Sequence, residues 1–286
     1  MARTKYGHLV KKLNFQERPY GKASVFGGGD LEGLELYLVW VYMNGVGEWA
    51  SVHVHPYGEC LLFTSLDYDN PNYLGAEIEI AMGEEGEKHV FDSPTVVVAP
   101  GGFPHTPLVI RKADRPFGGM MIYLGGEYKS TDLPERKGPP RTGGKYGHLV
   151  KKMDLRDMKR KSGGNADFIA GFGGKTLEGL NLNFTWAFHT GLGAWHDRDP
   201  HVHPYDEALL FVGLDPDNPD YLGAEIQIAM GEEQEIHVFD TPTVVVAPGG
   251  LVHCPLITRR VEKPYSFSAI CLNGEHDTTW LGEDKK

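Results

Sequence analysis

The sequence contains two copies of one pattern, and this duplication constrains the fold more than any other feature. The second copy follows the first at an offset of 140 to 148 residues. Two copies predict two homologous domains and not a solenoid, which needs at least three repeats. We predict domains at 1–135 and 136–286, because residues 127–144 between the repeats are charged and rich in Pro and Gly. The repeated blocks are KYGHLVKK at 5–12 and 145–152, HVHPYGECLLF at 53–63 and HVHPYDEALLF at 201–211, and LDYDNPNYLGAEIEIAMGEE at 66–85 and LDPDNPDYLGAEIQIAMGEE at 214–233.

Each copy is predicted to consist of short β-strands. The chain has 37 glycines and 19 prolines, which separate short apolar stretches and are typical of turns. The segments at 34–43 and 180–189 alternate along their length as strands do. No long amphipathic helix is visible. Each half offers roughly eight to ten strands, enough for one closed barrel or jelly roll, so the predicted fold class is all-β.

The charge and cysteine content limit the partners and the compartment. A net charge of −11 repels phosphate backbones and anionic membrane surfaces, so we expect neither nucleic-acid nor membrane binding. No stretch has the composition of a signal peptide or the length of a membrane-spanning helix. The three cysteines, an odd number in a long chain, favour a reducing cytoplasm. We also expect association into a homo-oligomer.

Each copy carries three histidines and one glutamate whose spacing predicts a metal site. His53 and His55 alternate along a strand and therefore point to the same side. Glu59 follows after a bend, and His105 returns from a distance behind a Gly-Gly turn. Such a ligand set suits Mn, Fe, Co, Ni or Zn and leaves coordination positions open for a substrate. The same set in the second copy is His201, His203, Glu207 and His253.

These motifs resemble those of a known superfamily. HxHxxxE followed by PxGxxH is similar to the two conserved motifs of the cupins, and the duplication resembles a bicupin, over residues 34–126 and 180–275. The resemblance implies two tandem cupin β-barrels, each a double-stranded β-helix or jelly roll, with the eight residues above as metal ligands. Some turn and packing positions depart from the usual motif, which argues against a close relationship to the best-known bicupins. These positions are Ser65, Pro94, Pro242, Val109 and Ile257.

Several other polar residues are candidates for chemistry. Glu77 and Glu225 lie in alternating strands and could act as a general acid or base, or could simply face outward. In the loop before the second HxH pair, His196 is a candidate catalytic residue and Arg198 a candidate substrate-binding residue. The alternative is a solvated loop without a role.

Tyrosine, histidine and cysteine residues near the predicted ligands are further candidates for a role in the sites. Tyr57 and Tyr205 sit between the ligands and could bind substrate oxygen or pack on the barrel wall. His89 and His237 could orient a metal ligand or form a structural hydrogen bond. Cys254 follows a ligand histidine, and strand alternation predicts that it points away from the site.

The ligand set favours a metal-dependent hydrolase or lyase. A divalent ion, Mn before Fe, Zn, Ni or Co, with no organic cofactor, would act as a Lewis acid on a small oxygenated substrate. C–C hydrolysis of a cyclic or β-diketone, decarboxylation and isomerisation all fit. The chain resembles oxalate decarboxylases in keeping two full ligand sets, and it is also similar to the dihydrophloroglucinol cyclohydrolases. The alternatives are a metal-dependent dioxygenase of an aromatic or enolic compound and a non-catalytic sugar-binding or storage bicupin.

Overall fold

The computed structural model describes residues 4–134, 144–159, 164–196 and 198–282. These residues form β-strands and three short 3-10 helices, at Gly7–Leu9, Gly147–Leu149 and Gly174–Leu177. The predicted all-β fold class is thereby confirmed. Within the described ranges, no helix is long and apolar enough to cross a membrane.

The strands fall in the same order in both copies. Those up to residue 132 are β1 (Val10–Lys12), β2 (Gln16–Arg18), β3 (Gly21–Phe26), β4 (Tyr37–Met43), β5 (Gly47–Trp49), β6 (His53–Val54), β7 (Glu59–Ser65), β8 (Ala76–Met82), β9 (Glu87–Phe91), β10 (Thr95–Ala99), β11 (His105–Ala113), β12 (Phe117–Tyr123) and β13 (Thr131–Asp132). The others are β14 (Val150–Lys152), β15 (Arg156–Asp157), β16 (Phe168–Gly173), β17 (Asn183–His189), β18 (Gly193–Ala194), β19 (His201–Val202), β20 (Glu207–Gly213), β21 (Ala224–Met230), β22 (Glu235–Phe239), β23 (Thr243–Ala247), β24 (His253–Val261), β25 (Tyr265–Cys271) and β26 (Thr279–Trp280).

The chain divides into two compact units, 15–154 and 1–14 with 155–286. The first unit has one sheet in the order β14-β10-β7-β12-β4-β3-β2 and another in the order β13-β6-β11-β8-β9, with β5 on β11. The second unit repeats this arrangement as β1-β23-β20-β25-β17-β16-β15 and β22-β21-β24-β19-β26, with β18 on β24. Each unit is thus one two-sheet jelly roll, and the prediction of two tandem barrels is confirmed.

The two copies of KYGHLVKK are exchanged between the units. Strand β1 pairs with β23, with Val10 opposite Val245, and β14 pairs with β10, with Val150 opposite Val97. The units therefore differ from the predicted division at 135 and 136. Each unit takes its edge strand from the segment that precedes the other copy.

The core of each unit lies between its two sheets. Phe63 contacts Phe91 of the facing sheet with ring centroids 5.4 Å apart, and Phe211 contacts Phe239 at 5.1 Å; Phe63 and Phe211 are at most 1% exposed. The burial of such a side chain contributes roughly 2–3 kcal/mol. The neighbouring residues Leu62 and Leu210 point to the other face of their sheets, as the period of two requires, and are buried there as well. The sheets are thereby held face to face, and the inner ends of the strands define the sites described below.

A carboxylate pair fastens each exchanged segment to its unit. In the first unit, Glu87 accepts backbone N–H groups of Gly144, Lys145 and Tyr146 at 2.9, 3.1 and 3.1 Å. Glu85 accepts from the Lys145 ammonium and the Tyr146 hydroxyl, each at 2.7 Å. The second unit repeats these contacts, with Glu235 and Glu233 binding Lys5 and Tyr6.

The recurrent histidines His89 and His237 belong to these fastenings. The Nε2 atoms of His89 and His237 lie 2.8 Å from a carboxylate oxygen of Glu87 and Glu235, respectively. They are therefore part of the anchor for the exchanged strands, which corresponds to the structural alternative of the two roles considered for them.

The contacts that hold the exchanged segments predict that the stability of the protein depends on pH. The Lys145 and Tyr146 side chains lower the pKa of Glu85 to about 2, and Lys5 and Tyr6 do the same for Glu233. A carboxyl with a depressed pKa stabilises the fold above its unfolded pKa of about 4.5 and loses this contribution as the pH falls toward 2. We expect Glu85→Gln to be less stable than the parent at pH 7 and nearly equal to it at or below pH 2, measured by urea unfolding. Glu84→Gln, at an exposed neighbouring position, is the control; an equal loss at both pH values would contradict the prediction.

Candidate metal centres

In the first unit, the four predicted ligands converge on one point. His53 in β6 lies opposite His105 in β11, and Glu59 begins β7 in the facing sheet. The four candidate ligand atoms, including one from His55, all lie within 4.8 Å of one another. The Nε2 atoms of His53 and His55 are 3.1 Å apart. Both sheets of the barrel therefore contribute to a single cluster.

A glycine in each copy directs the last histidine into the barrel. Gly102 has φ +76° and Gly250 has φ +83°, in the left-handed region that side chains disfavour. The N–H of Gly102 donates to the carbonyl of His55 at 2.7 Å, and that of Gly250 donates to His203 at 2.8 Å. This turn therefore ties the returning strand to the backbone of the HxH pair.

Backbone carbonyls orient all three imidazoles of the first cluster. The Nδ1–H groups of His53, His55 and His105 donate to the carbonyls of Ser51, Lys129 and Phe103, at 2.8, 2.6 and 3.1 Å. Such bonds select the tautomer in which Nε2 carries the lone pair. Three lone pairs consequently face the centre of the cluster.

The carboxylate of Glu59 makes the centre negative. Burial alone would raise the pKa of Glu59, but the imidazoles of His105 and His55, when protonated on Nε2 and donating to the carboxylate, outweigh it and lower the pKa to about 2. Its Oε2 lies 2.8 Å from His105 Nε2 and 3.3 Å from His55 Nε2. Within the part of the chain that the structure describes, this buried oxygen has no hydrogen-bond partner. Lone pairs turned toward each other around a buried charge are unfavourable unless a cation lies between them, so these residues fit a divalent metal ion.

The second unit brings the equivalent four residues together, with the carboxylate farther from the imidazoles than in the first cluster. The ring centroids of His201 and His253 are 4.4 Å apart, compared with 4.5 Å for the equivalent rings of the first cluster. Glu207 Oε2 lies 3.1 Å from His253 Nε2 and 3.8 Å from His203 Nε2. Burial tends to raise the pKa of Glu207, but the histidines lower it to about 2. This cluster therefore also offers an ionised carboxylate to a cation.

One partner outside the cluster differs between the copies. In the second unit, His201 Nδ1 faces Asp199 Oδ1 at 3.3 Å, and the Asp199 side chain is only 2% exposed. The corresponding partner of the first unit is the neutral carbonyl of Ser51. Burial lowers the pKa of His201 to about 3 and so favours the neutral imidazole that binds metals. A carboxylate behind a ligand histidine raises the basicity of that ligand, so the two sites differ electronically.

Cys254 lies beside the second cluster, contrary to the prediction from strand alternation. Its sulfur is within 4.8 Å of ligand atoms of His201 and His253. The residue has φ +68°, and this local break in the strand removes the alternation on which the prediction depended. Burial raises the pKa of the Cys254 thiol well above its usual value, which keeps it protonated.

The tyrosines between the ligands hold backbone and stack on histidine. Tyr57 lies parallel to His55 with ring centroids 5.7 Å apart, and Tyr205 lies parallel to His203 at 5.0 Å. The Tyr57 hydroxyl donates to the carbonyl of Glu127 at 2.6 Å, and the Tyr205 hydroxyl accepts the N–H of Asp277 at 3.0 Å. Their hydroxyls therefore position the segment whose carbonyls orient His55 and His203, a role that differs from the predicted substrate contact.

The strand glutamates lie away from both clusters. Glu77 is 3.4 Å from Arg111 and 41% exposed, and Glu225 is 3.4 Å from Arg259 and 30% exposed. The adjacent Ile78 is fully buried. Because neighbouring strand residues face opposite sides, both glutamates point out of the barrel. The structure thus argues against their predicted catalytic role and agrees with the outward-facing alternative.

The loop before the second HxH pair places one candidate near the ligands and another outside. The His196 ring lies 5.3 Å from that of His201, and burial lowers the pKa of His196 to about 4. Arg198 is exposed, with its guanidinium carbon 5.8 Å from the centre of the Trp280 ring. Asp197 lies outside the described residues. His196 is therefore a neutral imidazole beside the cluster, whereas Arg198 faces solvent.

The clusters open on cavities of different size. The first adjoins about 200 Å³, and the second adjoins about 500 Å³. The residues that shape the larger cavity could not be predicted from the sequence, because most are apolar strand residues without a motif. Its described lining includes the ligands, His196 and His276 together with Ile169, Phe172, Phe184, Trp195, Leu209, Leu256, Phe267, Ala269 and Cys271.

Comparisons with known proteins identify the fold. No protein-family model and no curated protein sequence matches the chain. Among solved structures, an oxalate decarboxylase mutant from Bacillus subtilis has a TM-score of 0.65 at 11% identity, over 95% of this chain and 79% of that chain. The formate complex of Lactobacillus farciminis oxalate decarboxylase has a TM-score of 0.66 at 12% identity, over 98% and 90%. The chain therefore has the duplicated cupin fold, as the motif resemblance predicted. At these identities the likeness extends to the fold alone.

Proposed function

We propose that the protein is a divalent-metal-dependent enzyme that performs redox-neutral chemistry on a small oxygenated organic substrate. The observation that carries the proposal is the buried carboxylate surrounded by three imidazoles whose other nitrogens are all engaged. A divalent ion held there would supply Lewis-acid polarisation of substrate oxygens. C–C bond hydrolysis of a cyclic or β-diketone, decarboxylation and isomerisation are the reactions that this chemistry serves. The enzyme would be a hydrolase or lyase.

We assign the reaction to the second unit. Its cluster adjoins the larger cavity, which can hold a substrate beside the ligands. His203 and His253 are fixed by the carbonyls of Asp277 and Leu251 at 2.7 and 3.0 Å. Burial lowers the pKa of His196 to about 4, so the imidazole is neutral near pH 7 and can form a hydrogen bond with a substrate at the cavity wall.

Manganese is the ion that we propose first. A solved structure of similar fold, at 11% identity over 95% of this chain, describes Mn(II) centres in Bacillus subtilis oxalate decarboxylase. Imidazole and carboxylate ligands also accept Fe, Zn, Ni and Co, so the assignment needs measurement. A small-molecule substrate, no nucleic-acid or membrane partner, a homo-oligomer and a cytoplasmic location stay predictions.

Metal content and turnover without oxygen test this function. We expect about two ions per chain by elemental analysis, and turnover of one member of a panel of cyclic diketones, β-diketones and β-keto acids under strict anaerobiosis, followed by NMR. His203→Ala should remove one ion and the activity, whereas His55→Ala should remove one ion and leave most of the activity. Turnover that requires oxygen would indicate the dioxygenase alternative. A protein without stoichiometric metal would favour a binding or storage role.

A further inference from the structure

The two barrels differ at the residues that stand beside the ligand glutamates. Strand register places Tyr123 opposite Glu59 in the first unit and Cys271 opposite Glu207 in the second. Two residues earlier on the same strands, Met121 lies opposite Leu61, and Ala269 lies opposite Leu209. At both positions the second unit has the smaller side chain. The difference is therefore located at the wall that a substrate would contact.

Large side chains fill the first cavity. Tyr123 packs against Tyr37 and Tyr128 with ring centroids 5.7 and 5.6 Å apart, and against His55 at 5.1 Å. Tyr123, Tyr128 and Met121 all line the first cavity. In the second unit the positions of these residues are taken by Cys271, His276 and Ala269. The smaller side chains at these positions leave more room beside the second cluster, whose cavity is about 500 Å³, compared with about 200 Å³ in the first unit.

The wall of the larger cavity is apolar and aromatic. Trp195 contacts Phe267 edge-on at 4.7 Å, and Ile169, Leu209 and Leu256 also line the cavity. Among the described residues that line this cavity, none is Lys or Arg. A small dianion would lose its hydration there. No lysine or arginine of the described lining would compensate its charge, so only a metal ion bound by the cluster could do so. An apolar body, in contrast, gains free energy by leaving water.

We infer that this second-unit cavity selects a substrate with a bulky, ring-sized apolar body and two neighbouring oxygens at one end, and that Ala269 sets the space for the body. The inference rests on the proposed function, because the oxygens are assigned to the metal cluster at the cavity floor. It excludes a compact dicarboxylate such as oxalate as the preferred ligand. The cavity is within the size range of sites for small organic molecules.

Ligands with different bodies test the inference. The manganese-loaded protein would be titrated by calorimetry, without oxygen, with 4-tert-butylcatechol, catechol and oxalate. The two catechols have the same pair of donor oxygens and differ only in the apolar body. We expect 4-tert-butylcatechol to bind at least tenfold more tightly than catechol, and oxalate to bind most weakly. Preferred binding of oxalate would overturn the inference.

Exchanging residues between the copies locates the effect. Ala269→Met introduces the first-unit residue and should weaken 4-tert-butylcatechol binding at least tenfold with no loss of metal. Met121→Ala, the reverse change in the first unit, is the matched control and should not weaken binding. Ala269→Val, a smaller change, serves if Ala269→Met does not fold, and should give a weaker effect in the same direction. A folded Ala269 variant with unchanged affinity would contradict the role of this residue.

A metal-free titration separates this inference from the proposed function. 4-tert-Butylphenol has the apolar body and lacks the second oxygen, and its binding to the metal-free protein can be followed by NMR. We expect binding that Ala269→Met abolishes and Met121→Ala does not. If the protein binds no metal yet shows this pattern, the proposed function fails and the selectivity of the cavity stands. If metal binds and this pattern is absent, the cavity inference fails alone.

Discussion

Glu59→Gln is expected to lower the unfolding temperature of the metal-loaded protein by on the order of 10 °C and to lower that of the metal-free protein by much less. An ion at a thousand times its dissociation constant stabilises the native state by about 4 kcal/mol. In domains of about 150 to 250 residues, 1 kcal/mol corresponds to roughly 2–4 °C. The neutral amide weakens the cation site. Without metal, the variant loses the interaction of the carboxylate with His105 and His55 but also the cost of burying a charge, so the two changes partly cancel.

A loss of stability that depends on bound metal distinguishes a metal site from a structural ion pair. Calorimetric scans with excess Mn(II) and with EDTA would measure it. Glu207→Gln should behave in the same way in the second unit. Glu77→Gln, at an exposed strand carboxylate, is the control and should be insensitive to metal. A Glu59→Gln protein that loses the same stability with and without metal would show that Glu59 acts through its hydrogen bonds alone.

Asp199→Asn is expected to weaken metal binding at the second cluster by roughly 10- to 100-fold, as the loss of a carboxylate behind a ligand histidine commonly does. Asp199 Oδ1 lies 3.3 Å from His201 Nδ1, and the amide keeps an acceptor there but removes the charge. The first cluster uses a backbone carbonyl at this position and should keep its affinity. Competition with a chromophoric chelator would resolve the two sites.

Ser51→Ala is the matched control, since it changes the corresponding side chain and retains the carbonyl that His53 uses. Its affinity should equal that of the parent at both sites. Equal affinities of the parent and Asp199→Asn at the second site would show that the charge of Asp199 does not tune the metal. A weakened first site in Asp199→Asn would indicate a general structural loss.

The ligand set could be predicted because it depends on short-range rules. The period of two brings His53 and His55 to one side of a strand, and glycine allows the turn that directs His105 inward. Because the sequence is duplicated, the same rules apply to both copies and predict two barrels. The rule of strand alternation gave a wrong prediction for one residue. Alternation did not hold at Cys254, because its positive φ interrupts the strand.

The exchange of the edge strands could not be predicted from the repeats. KYGHLVKK is identical in both copies, so either segment satisfies the edge of either barrel. Contacts distant in the chain, such as those from Glu87 to Gly144 and Tyr146, fasten each segment in the structure. Sequence similarity between the copies therefore conceals which unit each segment completes.

The sequence by itself determined the β-fold, the duplication and the two sets of three histidines and a glutamate, since these follow from local periodicity and turn chemistry. Only the tertiary structure decided how the sites differ. The role of Asp199 depends on its contact with a ring nitrogen of His201, and that of Ala269 depends on its position opposite Leu209 in a neighbouring strand. Cavity volume depends on side chains from distant parts of the chain that strand pairing brings together. No short sequence pattern predicts which of these side chains will be neighbours.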